Sequence, residues 1–312
     1  MVEAVLPVLY VDRQLPLDAV ELVRARCTLR GPDLDALTTA DGIIAGSARW
    51  DAARLAHASR ARVLSRSGIG YDNVDVAAAT AQGIVVCVAA DAPTVSTAEH
   101  TVALILAAAK RLVPNQLRLR AGRGDYFGAN RAIELAGRTL GLVGYGRIAR
   151  RVRRAAAALD MDVVACDPFV TQADVELVPF AELLRRADVI SVHAPLTDDT
   201  RHLFDAAAFA AMRPGVVFVN AARGGLVDHD ALLTALDRGQ VDAAALDVTE
   251  PEPLPTDHPL LHRDDVLITP HVASATDAGK LRLYRDAIDN ALAVLDGGTP
   301  PYVVNPEVLG AR

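Results

Sequence analysis

Three residues far apart in the chain have side chains suited to handling a proton and a carboxylate: Arg223 in NAARGGLVD, Glu252 in DVTEPEP and His271 in ITPHVASAT. A histidine titrates near neutral pH, a neighbouring carboxylate stabilises its protonated form, and a guanidinium binds a carboxylate in bidentate geometry. The combination predicts general acid–base chemistry on a small 2-oxo acid. Taken alone, His271 after Thr-Pro would more often be a turn or core histidine.

A glycine turn in LGLVGYGRIA indicates a dinucleotide site. Gly144 permits the tight turn, Gly146 lets a pyrophosphate approach the backbone, and Ala149 is small enough for close helix–strand packing. A bare glycine pattern can also be a simple turn. Asp167 lies 21 positions after Gly146, at the end of the next apolar run. A carboxylate there would bind the adenosine ribose and repel a 2′-phosphate, which favours NAD over NADP; the alternative is an Asp that only starts the turn at Pro168.

These residues each follow, or start within, an apolar run typical of a buried strand, and helical stretches separate the runs. Such alternation predicts parallel sheets covered by helices, and an α/β fold. The predicted strands are Ala4–Val11, Gly42–Ala45, Arg62–Ser65 and Ile84–Val88, followed by Leu140–Val143, Asp162–Ala165, Val189–Val192, Val216–Asn220, Ala243–Leu246 and Val266–Thr269.

The helical stretches organise the chain further. Leu17–Arg24 and Asp51–Ala58 separate early strands, and Ser96–Arg111 is the clearest helix, with Lys110 and Arg111 suited to its last turn. GRGDYFGAN, residues 122–130, interrupts regular structure before the second series of strands. Asp277–Leu295 is helical and is expected to carry the chain back to the first domain.

Composition restricts the class of protein. The 312 residues exceed the size of a single core, so two domains are expected, and 51% hydrophobic with 23% charged residues is typical of a globular protein. The net charge of -7 argues against a nucleic-acid partner. One basic stretch follows the glycine turn and is interpreted as a solvated helix face: Arg147, Arg150, Arg151, Arg153 and Arg154.

The cysteines and the apolar runs indicate a cytoplasmic protein. Cys27, Cys87 and Cys166 are widely spaced, which predicts neither a disulfide framework nor a metal cluster. Runs such as Val102–Ala109 fall short of the roughly 18 apolar residues of a membrane span. The N-terminal MVEAVLPVLYVDRQLP is interpreted as a first strand and not as a signal peptide.

Seven motifs, in order along essentially the whole chain, resemble the D-isomer-specific 2-hydroxyacid dehydrogenases. The stretch DVTEPEPLPTDHPLL is especially similar to glyoxylate and hydroxypyruvate reductases, and SGIGYDNVD is also similar to C-terminal-binding proteins. The motifs are SGIGYDNVDV (67–76), STAEHTVAL (96–104), GRTLGLVGYGRIA (137–149), HAPLTDDT (193–200), MRPGVVFVNAARGGLVD (212–228), ALDVTEPEPLPTDHPLL (245–261) and ITPHVASAT (268–276).

The resemblance implies two Rossmann-like domains, one flavodoxin-like and one dinucleotide-binding, with parallel sheets and a cleft between them. Residues 1–98 plus 289–312 would form the substrate-binding domain, and residues 99–288 the NAD-binding domain. A homodimer is implied, with helix Ser96–Arg111 and the following arm contributing to its interface. The implied activity is NAD-dependent hydride transfer to C2 of a 2-oxo acid. The alternative is an NADH-sensing interaction module like the C-terminal-binding proteins.

The same resemblance implies roles for individual residues. Arg223 would bind the substrate carboxylate and carbonyl, and His271 would be the acid–base group. Glu252 would be its partner, in preference to Glu250, because it directly precedes the proline of the EP-L-P run. Asp247 would accept a hydrogen bond from the nicotinamide carboxamide. The implied cofactor residues are Gly144, Tyr145, Gly146, Arg147, Ile148, Asp167, His193, Ala221 and Asp247, and the turn for the substrate carboxylate is Ser67, Gly68, Ile69 and Gly70.

Substrate specificity is expected in the first domain. Arg66 is predicted to bind a second polar or anionic group of the substrate, the alternative being a solvent-facing side chain, and Arg49 is a second candidate. Trp50 and Tyr71 would provide apolar walls or pack internally.

Family members that act on formate carry glutamine at Glu252 and those that act on phosphite carry lysine at Ile69, which disfavours both substrates. The remaining candidate substrates are glyoxylate, hydroxypyruvate and phospho- or phosphono-substituted 2-oxo acids. Long phosphoglycerate dehydrogenases tend to carry arginine within the segment 45–47, where this chain has Ala-Gly-Ser, which lowers the expectation of phosphohydroxypyruvate.

Overall fold

The computed structural model describes residues 5–311 of the chain. Its contacts separate two compact units: unit 1 is the chain up to Thr94 together with the residues from Ala275 onwards, and unit 2 is Val95–Ser274. Both units alternate strands and helices and contain parallel sheets, which confirms the predicted α/β class. The predicted start of the first strand, at Ala4, lies outside the described residues.

The first part of unit 1 is a short-stranded parallel sheet. Its strands are Val8–Val11 (β1), Thr28–Arg30 (β2), Gly42–Ala45 (β3), Val63–Arg66 (β4) and Val85–Val88 (β5). They are ordered β2-β1-β3-β4-β5, and every residue of β3 and β5 is buried, because helices cover both faces of such a sheet. The sequence did not predict β2, whose three residues are exposed or half-buried at the sheet edge. The helices are Leu17–Val23 (α1), Leu34–Leu37 (α2), Ala52–Leu55 (α3) and Val76–Ala81 (α4).

Unit 2 contains a larger parallel sheet. Its strands are Thr139–Val143 (β6), Asp162–Cys166 (β7), Glu176–Leu177 (β8), Val189–Val192 (β9), Val216–Asn220 (β10), Val241–Leu246 (β11) and Val266–Ile268 (β12), with helices Thr94–Ala109 (α5), Leu112–Arg120 (α6), Arg147–Ala157 (α7), Phe180–Arg186 (α8), Ala206–Ala210 (α9) and His229–Asp237 (α10). The order β12-β11-β10-β9-β6-β7-β8 is that of a dinucleotide-binding sheet with an added edge strand. All six predicted strands are present, and only the two-residue β8 was missed.

The helix expected at Ser96–Arg111 is shifted by two residues at each end. α5 ends at Ala109 because Arg111 adopts a left-handed conformation, with φ of 54°. The Arg111 guanidinium donates to the backbone oxygen of Asp242 at 2.6 Å and pairs with the Asp242 carboxylate. In place of the predicted last helical turn with Lys110 and Arg111, Arg111 makes this contact with the start of β11. The following α6 was not predicted.

The last long helix, Asp277–Leu295 (α11), packs on the sheet of unit 1. Thr276 caps it by accepting from the Gly279 backbone N–H at 2.9 Å. Its apolar face, including Tyr284, Ile288 and Ala291, lies against strands β3 to β5. Full burial of a side chain such as Ile288 contributes about 1.5–3 kcal/mol. The predicted domain boundaries at 98/99 and 288/289 therefore differ from the contact division after Thr94 and before Ala275, because α11 belongs to unit 1 over its whole length.

Candidate active site

The glycine turn between β6 and α7 is crowded on one side and open on the other. Gly144 has φ of 92°, and a Cβ on it would lie 2.7 Å from the backbone carbonyl carbon of His193. A Cβ on Gly146 would meet no atom within 4 Å. The space at the N-terminus of α7 is therefore open, where unpaired N–H groups and the helix dipole favour an anion. These residues fit the pyrophosphate of a dinucleotide.

Asp167 is fixed at the end of β7 by two backbone donors. Its Oδ2 accepts from the N–H of Tyr145 at 2.8 Å, and its Oδ1 accepts from the N–H of Phe169 at 2.9 Å. The side chain is half-buried, and each carboxylate oxygen can accept a further bond. The arrangement holds an acceptor next to the glycine turn, as the proposed contact with the adenosine ribose requires.

Tyr145 presents its backbone, and not its ring, to the turn. The ring is fully buried and its hydroxyl donates to Asp174. Burial, together with Asp174, raises the pKa of Tyr145 to about 12. Arg150 lies over the ring at 4.7 Å, and Arg153 pairs with Asp174 at 3.4 Å. The arginine stretch predicted to be only a solvated face thus also anchors the loop that follows β7.

The other predicted cofactor residues lie on the same loops. Arg147 is exposed, and Ile148, His193 and Ala221 are half-buried. The Nε2 atom of His193 lies 3.0 Å from the hydroxyl of Ser191, and burial lowers the pKa of His193 to about 4.

Arg223 is presented by a tightly packed loop after β10. The side chain of Asn220 accepts from the N–H of Ala222 at 3.0 Å and donates to the oxygen of Arg223 at 2.8 Å. A Cβ on Gly224 would lie 2.0 Å from the backbone oxygen of Thr249. A glycine pair beside an arginine suggests close approach of a ligand, but Gly224 serves to pack this loop against the loop after β11.

Glu252 and His271 are in contact. Glu252 Oε2 lies 3.0 Å from His271 Nδ1, and the two side chains are 40% and 38% exposed. Glu250, the competing carboxylate, pairs with Arg201 at 2.7 Å instead. The geometry leaves Nε2 of His271 for a substrate, with Nδ1 held by the carboxylate. This is the arrangement of a general acid–base group and its orienting partner.

A buried carboxylate ties down the segment that carries His271. Asp247 directly follows β11, and its side chain is 0% exposed. Its Oδ1 accepts from the N–H of Val272 at 3.0 Å and from the hydroxyl of Thr269 at 2.6 Å, and its Oδ2 accepts from the N–H of Ala273 at 2.9 Å. The N–H of His271 also donates to the backbone oxygen of Asp247 at 2.8 Å.

His100 extends this network from α5. Its Nε2 lies 3.1 Å from the hydroxyl of Thr269 and 3.3 Å from Asp247 Oδ1. Sequence reasoning assigned His100 no role, and it assigned Asp247 to the nicotinamide carboxamide. That contact stays a prediction; both oxygens of Asp247 already accept from protein donors. The donors to the Asp247 carboxylate, in Thr269, Val272 and Ala273, lie 22 to 26 positions after it, so no local sequence pattern predicts these contacts.

In unit 1 the turn Ser67–Gly70 follows β4. The N–H and hydroxyl of Ser67 both donate to the oxygen of Ala45, at 2.9 and 3.1 Å, and Ile69 is exposed. Arg66 is half-buried: its Nε donates to Asn73 Oδ1 at 3.1 Å and its Nη1 donates to the Ala45 oxygen at 3.3 Å.

The other candidates for specificity differ in exposure. The Arg49 side chain is 85% exposed and has a long contact, 4.0 Å, with Asp51. Trp50 is fully buried and packs edge-on against Tyr10, which agrees with the alternative of internal packing, whereas Tyr71 is exposed.

The described residues, 5–311, contain neither a candidate metal-binding cluster nor a candidate membrane-spanning helix. Within that range no three His, Cys, Asp or Glu side chains are grouped so that they could hold a metal ion. In the same range, no helix has the length and apolar character needed to cross a membrane.

Comparison with known proteins identifies relatives over most of the chain. The family model described as D-isomer specific 2-hydroxyacid dehydrogenase, NAD binding domain, matches residues 102–273. A D-3-phosphoglycerate dehydrogenase of Mycobacterium leprae is 40% identical over 96% of this chain and 59% of its own length. A glyoxylate reductase of Aeropyrum pernix is 39% identical over 85% of this chain and 82% of its own length.

A solved structure shares the fold over nearly the whole chain. The TT0316 protein from Thermus thermophilus superposes with a TM-score of 0.88 and 37% identity, over 95% of this chain and 99% of that one. The chain spans only 46–59% of the length of the phosphoglycerate dehydrogenases of Archaeoglobus fulgidus and Mycobacterium leprae that it matches. The chain belongs to the D-isomer specific 2-hydroxyacid dehydrogenases, and its unit 2 carries the NAD-binding domain of that family.

Proposed function

We propose that the protein is an NAD-dependent D-2-hydroxyacid dehydrogenase, an oxidoreductase acting on the CH–OH group of a small 2-hydroxy acid. The observation that carries the proposal is the 3.0 Å contact between Glu252 and His271, in the same unit as the dinucleotide turn and Arg223. The phosphoglycerate dehydrogenase and glyoxylate reductase relatives support this class of reaction. The D-isomer designation of the family and of the phosphoglycerate dehydrogenases supports the D-stereochemistry.

Each of the three side chains has a separate task. When bound, NADH supplies the hydride that adds to C2 of the 2-oxo acid. His271 donates a proton to the carbonyl oxygen, Glu252 orients the imidazole and stabilises its charged form, and Arg223 binds the carboxylate and polarises the carbonyl. General acid catalysis of this kind contributes about 10²–10⁴-fold, with positioning of the substrate adding to it.

NAD is the proposed cofactor in preference to NADP. Asp167 already holds its carboxylate beside the glycine turn through the N–H groups of Tyr145 and Phe169. A carboxylate at this position accepts from ribose hydroxyls and repels a 2′-phosphate. Both the turn and the following helix N-terminus support a bound pyrophosphate.

The substrate is proposed to be a short 2-oxo acid such as glyoxylate, hydroxypyruvate or a phosphorylated relative of hydroxypyruvate. Its carboxylate is proposed to bind at the turn Ser67–Gly70 of unit 1, whereas NAD is proposed to bind to unit 2. The names of the relatives, D-3-phosphoglycerate dehydrogenase and glyoxylate reductase, support these substrate classes.

A homodimer in the cytoplasm is the proposed state of the protein. α6 buries none of its described side chains, Leu119 on it is exposed, and Phe127 in the following arm is 97% exposed. A second copy covering these two apolar side chains would remove them from water. The free cysteines Cys27, Cys87 and Cys166 are typical of a reducing compartment, and the net charge of -7 disfavours nucleic acid.

The test is NADH oxidation, followed by absorbance, with glyoxylate, hydroxypyruvate, pyruvate, phosphohydroxypyruvate and phosphonopyruvate. Saturable turnover that depends on a 2-oxo acid and is lost in His271→Ala supports the proposal. NADH binding without turnover of any acid would contradict it and favour an NADH-sensing interaction module.

A further inference from the structure

The helix that follows the glycine turn, α7, carries charges of one sign only. Its sequence, RIARRVRRAAA, contains five arginines and no carboxylate. Four of the arginines are exposed: Arg147, Arg150, Arg151 and Arg154. Their spacing of three and four positions places them on one face of the helix. These four residues form the arginine stripe.

The arginine stripe disfavours the helix that carries it. Like charges three or four positions apart repel each other and destabilise a helix. Cations are also unfavourable at a helix N-terminus, where the helix dipole is positive, and Arg147 is the first helical residue. The first turn contains no acidic side chain, and Gly146 at the N-cap position provides no cap. Such conflict with the local rules for a stable helix is expected where residues serve a function.

Two members of the stripe have no partner in the protein. Arg150 packs over the Tyr145 ring at 4.7 Å. The side chains of Arg151 and Arg154 make no ion pair, hydrogen bond or ring contact with any of residues 5–311, and both are exposed. Their charges therefore stabilise no contact within this part of the chain, and they act on ions and molecules in solution.

The rest of the molecule repels an anion. The chain has a net charge of -7, and Asp167 holds its carboxylate 2.8 Å from the Tyr145 N–H, at the turn where a pyrophosphate would bind. This carboxylate is suited to the ribose, but it makes the local potential more negative. The stripe opposes this effect. α7 is about 16 Å long, so the whole stripe lies within one Debye length of the turn at low salt, which is about 30 Å at 0.01 M.

We propose that the arginine stripe of α7 steers the anionic dinucleotide towards the glycine turn, and that Arg151 and Arg154 thereby set the rate of cofactor association. The proposal rests on the proposed dehydrogenase function, in which NADH is the cofactor. A surface of one sign raises the association rate of an oppositely charged ligand by about 10–10³-fold, and the effect falls steeply with ionic strength. Arg151 and Arg154 act at a distance, whereas Arg147 is assigned to the cofactor site itself.

The first experiment measures the association rate constant kon and the dissociation rate constant koff of NADH by stopped-flow fluorescence. The variant replaces Arg151 and Arg154 with glutamine, which has a similar helix propensity. At an ionic strength of about 0.01 M, kon should fall about three- to tenfold, and koff should stay within about twofold, as for charges at the rim of a site. At about 1 M the difference in kon should disappear, because the Debye length is then about 3 Å.

The matched control removes two other exposed arginines, through Arg185→Gln and Arg238→Gln. Arg185 lies in the last turn of α8, and Arg238 follows α10. Both helices lead into the amino ends of strands, at the opposite edge of the sheet from the glycine turn. The control changes the net charge equally, and its kon should stay within about twofold of the wild type. Equal losses in the control and the test variant would overturn the proposal, as would an unchanged kon in the test variant.

A charge series separates steering from direct contact. Arg151→Glu with Arg154→Glu changes the charge twice as much as the glutamine variant, so log kon should fall twice as far, by about 10–100-fold in kon. Arg151→Lys with Arg154→Lys should keep the wild-type kon, because steering needs the charge and not the guanidinium fork. A large loss in the lysine variant would indicate a bidentate contact with the bound cofactor and would contradict steering.

The same measurements distinguish failure of the steering from failure of the dehydrogenase function, because binding kinetics need no turnover. A wild type that binds NADH but reduces no 2-oxo acid would contradict the proposed function, and the expected values of kon would still hold. A wild type that turns over 2-oxo acids with a kon independent of Arg151 and Arg154 would contradict the steering alone. Absence of NADH binding would contradict both.

Discussion

In both units the functional side chains follow the carboxyl ends of strands, but the surrounding contacts hold them more firmly in unit 2 than in unit 1. In unit 2 the segment of His271 is tied to the fully buried Asp247 through three donors, and Arg223 sits on a loop fixed by Asn220. In unit 1 Arg13, two positions after β1, is 44% exposed and makes one short hydrogen bond, to Ser47, besides its longer contact with Asp12.

The difference corresponds to two tasks: the groups of unit 2 carry out the reaction, and those of unit 1 select the substrate. A group that transfers a proton must be held within a fraction of an ångström of its reaction geometry, and a buried network does that. The partly solvated Arg13 side chain is held by fewer protein contacts. Changes at the edge of unit 2 should therefore lower turnover of every substrate, and changes at the edge of unit 1 should alter KM for only some of them.

The largest expected effect is that of His271→Ala. Loss of the proton donor should lower kcat by about 10²–10⁴-fold for all 2-oxo acids alike. Steady-state NADH oxidation measures kcat, and NADH fluorescence titration of the same variant checks that cofactor binding is retained. Retention of more than a tenth of the wild-type rate would mean that the edge of unit 2 does not contain the acid.

A smaller loss is expected for Glu252→Gln, about 10–100-fold in kcat, because the amide keeps the hydrogen bond to Nδ1 but not the charge that stabilises the imidazolium. Glu250→Gln is the matched control, since it breaks only an exposed pair with Arg201, worth about 0–1 kcal/mol. Similar kinetics of the two variants would contradict the assignment of Glu252.

Asp247→Asn tests whether the buried network positions the acid–base group. The new amide N–H₂ would face backbone donors, which costs about 1–3 kcal/mol of stability and lowers Tm by several degrees. We expect kcat to fall about tenfold with KM little changed, because positioning and not binding is lost. Asp277→Asn, at an exposed carboxylate on α11, is the control for the charge change. A lower Tm with unaltered kcat would mean that Asp247 is only structural.

The smallest effect concerns acid stability. Burial lowers the pKa of His193 to about 4 from the ordinary 6.5. Between these values the unfolded chain takes up a proton and the folded chain does not, so the contribution of this residue to stability falls as the pH decreases through that window. His193→Gln should show a shallower decline of Tm from pH 6.5 to pH 4 than the wild type. Parallel curves for the two proteins would show that the histidine is not held neutral.

Much of this arrangement could be predicted because the signals are local. Strands such as β9 and β10 are uninterrupted apolar runs, and Arg223, Glu252 and His271 lie in motifs that follow strands within a few residues. Parallel strands bring their carboxyl ends to one edge, so placing the strands also places the motifs.

What could not be predicted depends on contacts between distant residues. Gly46 needs to be glycine because of Arg13, which lies 33 positions earlier, and Gly224 because of the backbone oxygen of Thr249. For Trp50 the sequence left a substrate wall and internal packing open, and the indole can be fully buried because its N–H reaches an acceptor, Asp12. The periodicity of apolar residues along the chain does not reveal contacts between residues so far apart.

The position of α11 has a consequence for the order in which the protein is made. Unit 2 is a continuous stretch, whereas the sheet of unit 1 is completed by a helix that follows all of unit 2 in the chain. During synthesis from the N-terminus, unit 2 has all its residues while Leu9, Val63 and Val85 still lack the α11 face that covers them. Unit 1 can therefore complete its fold only after α11 has been synthesised. Until then its apolar strands stay exposed and can bind chaperones.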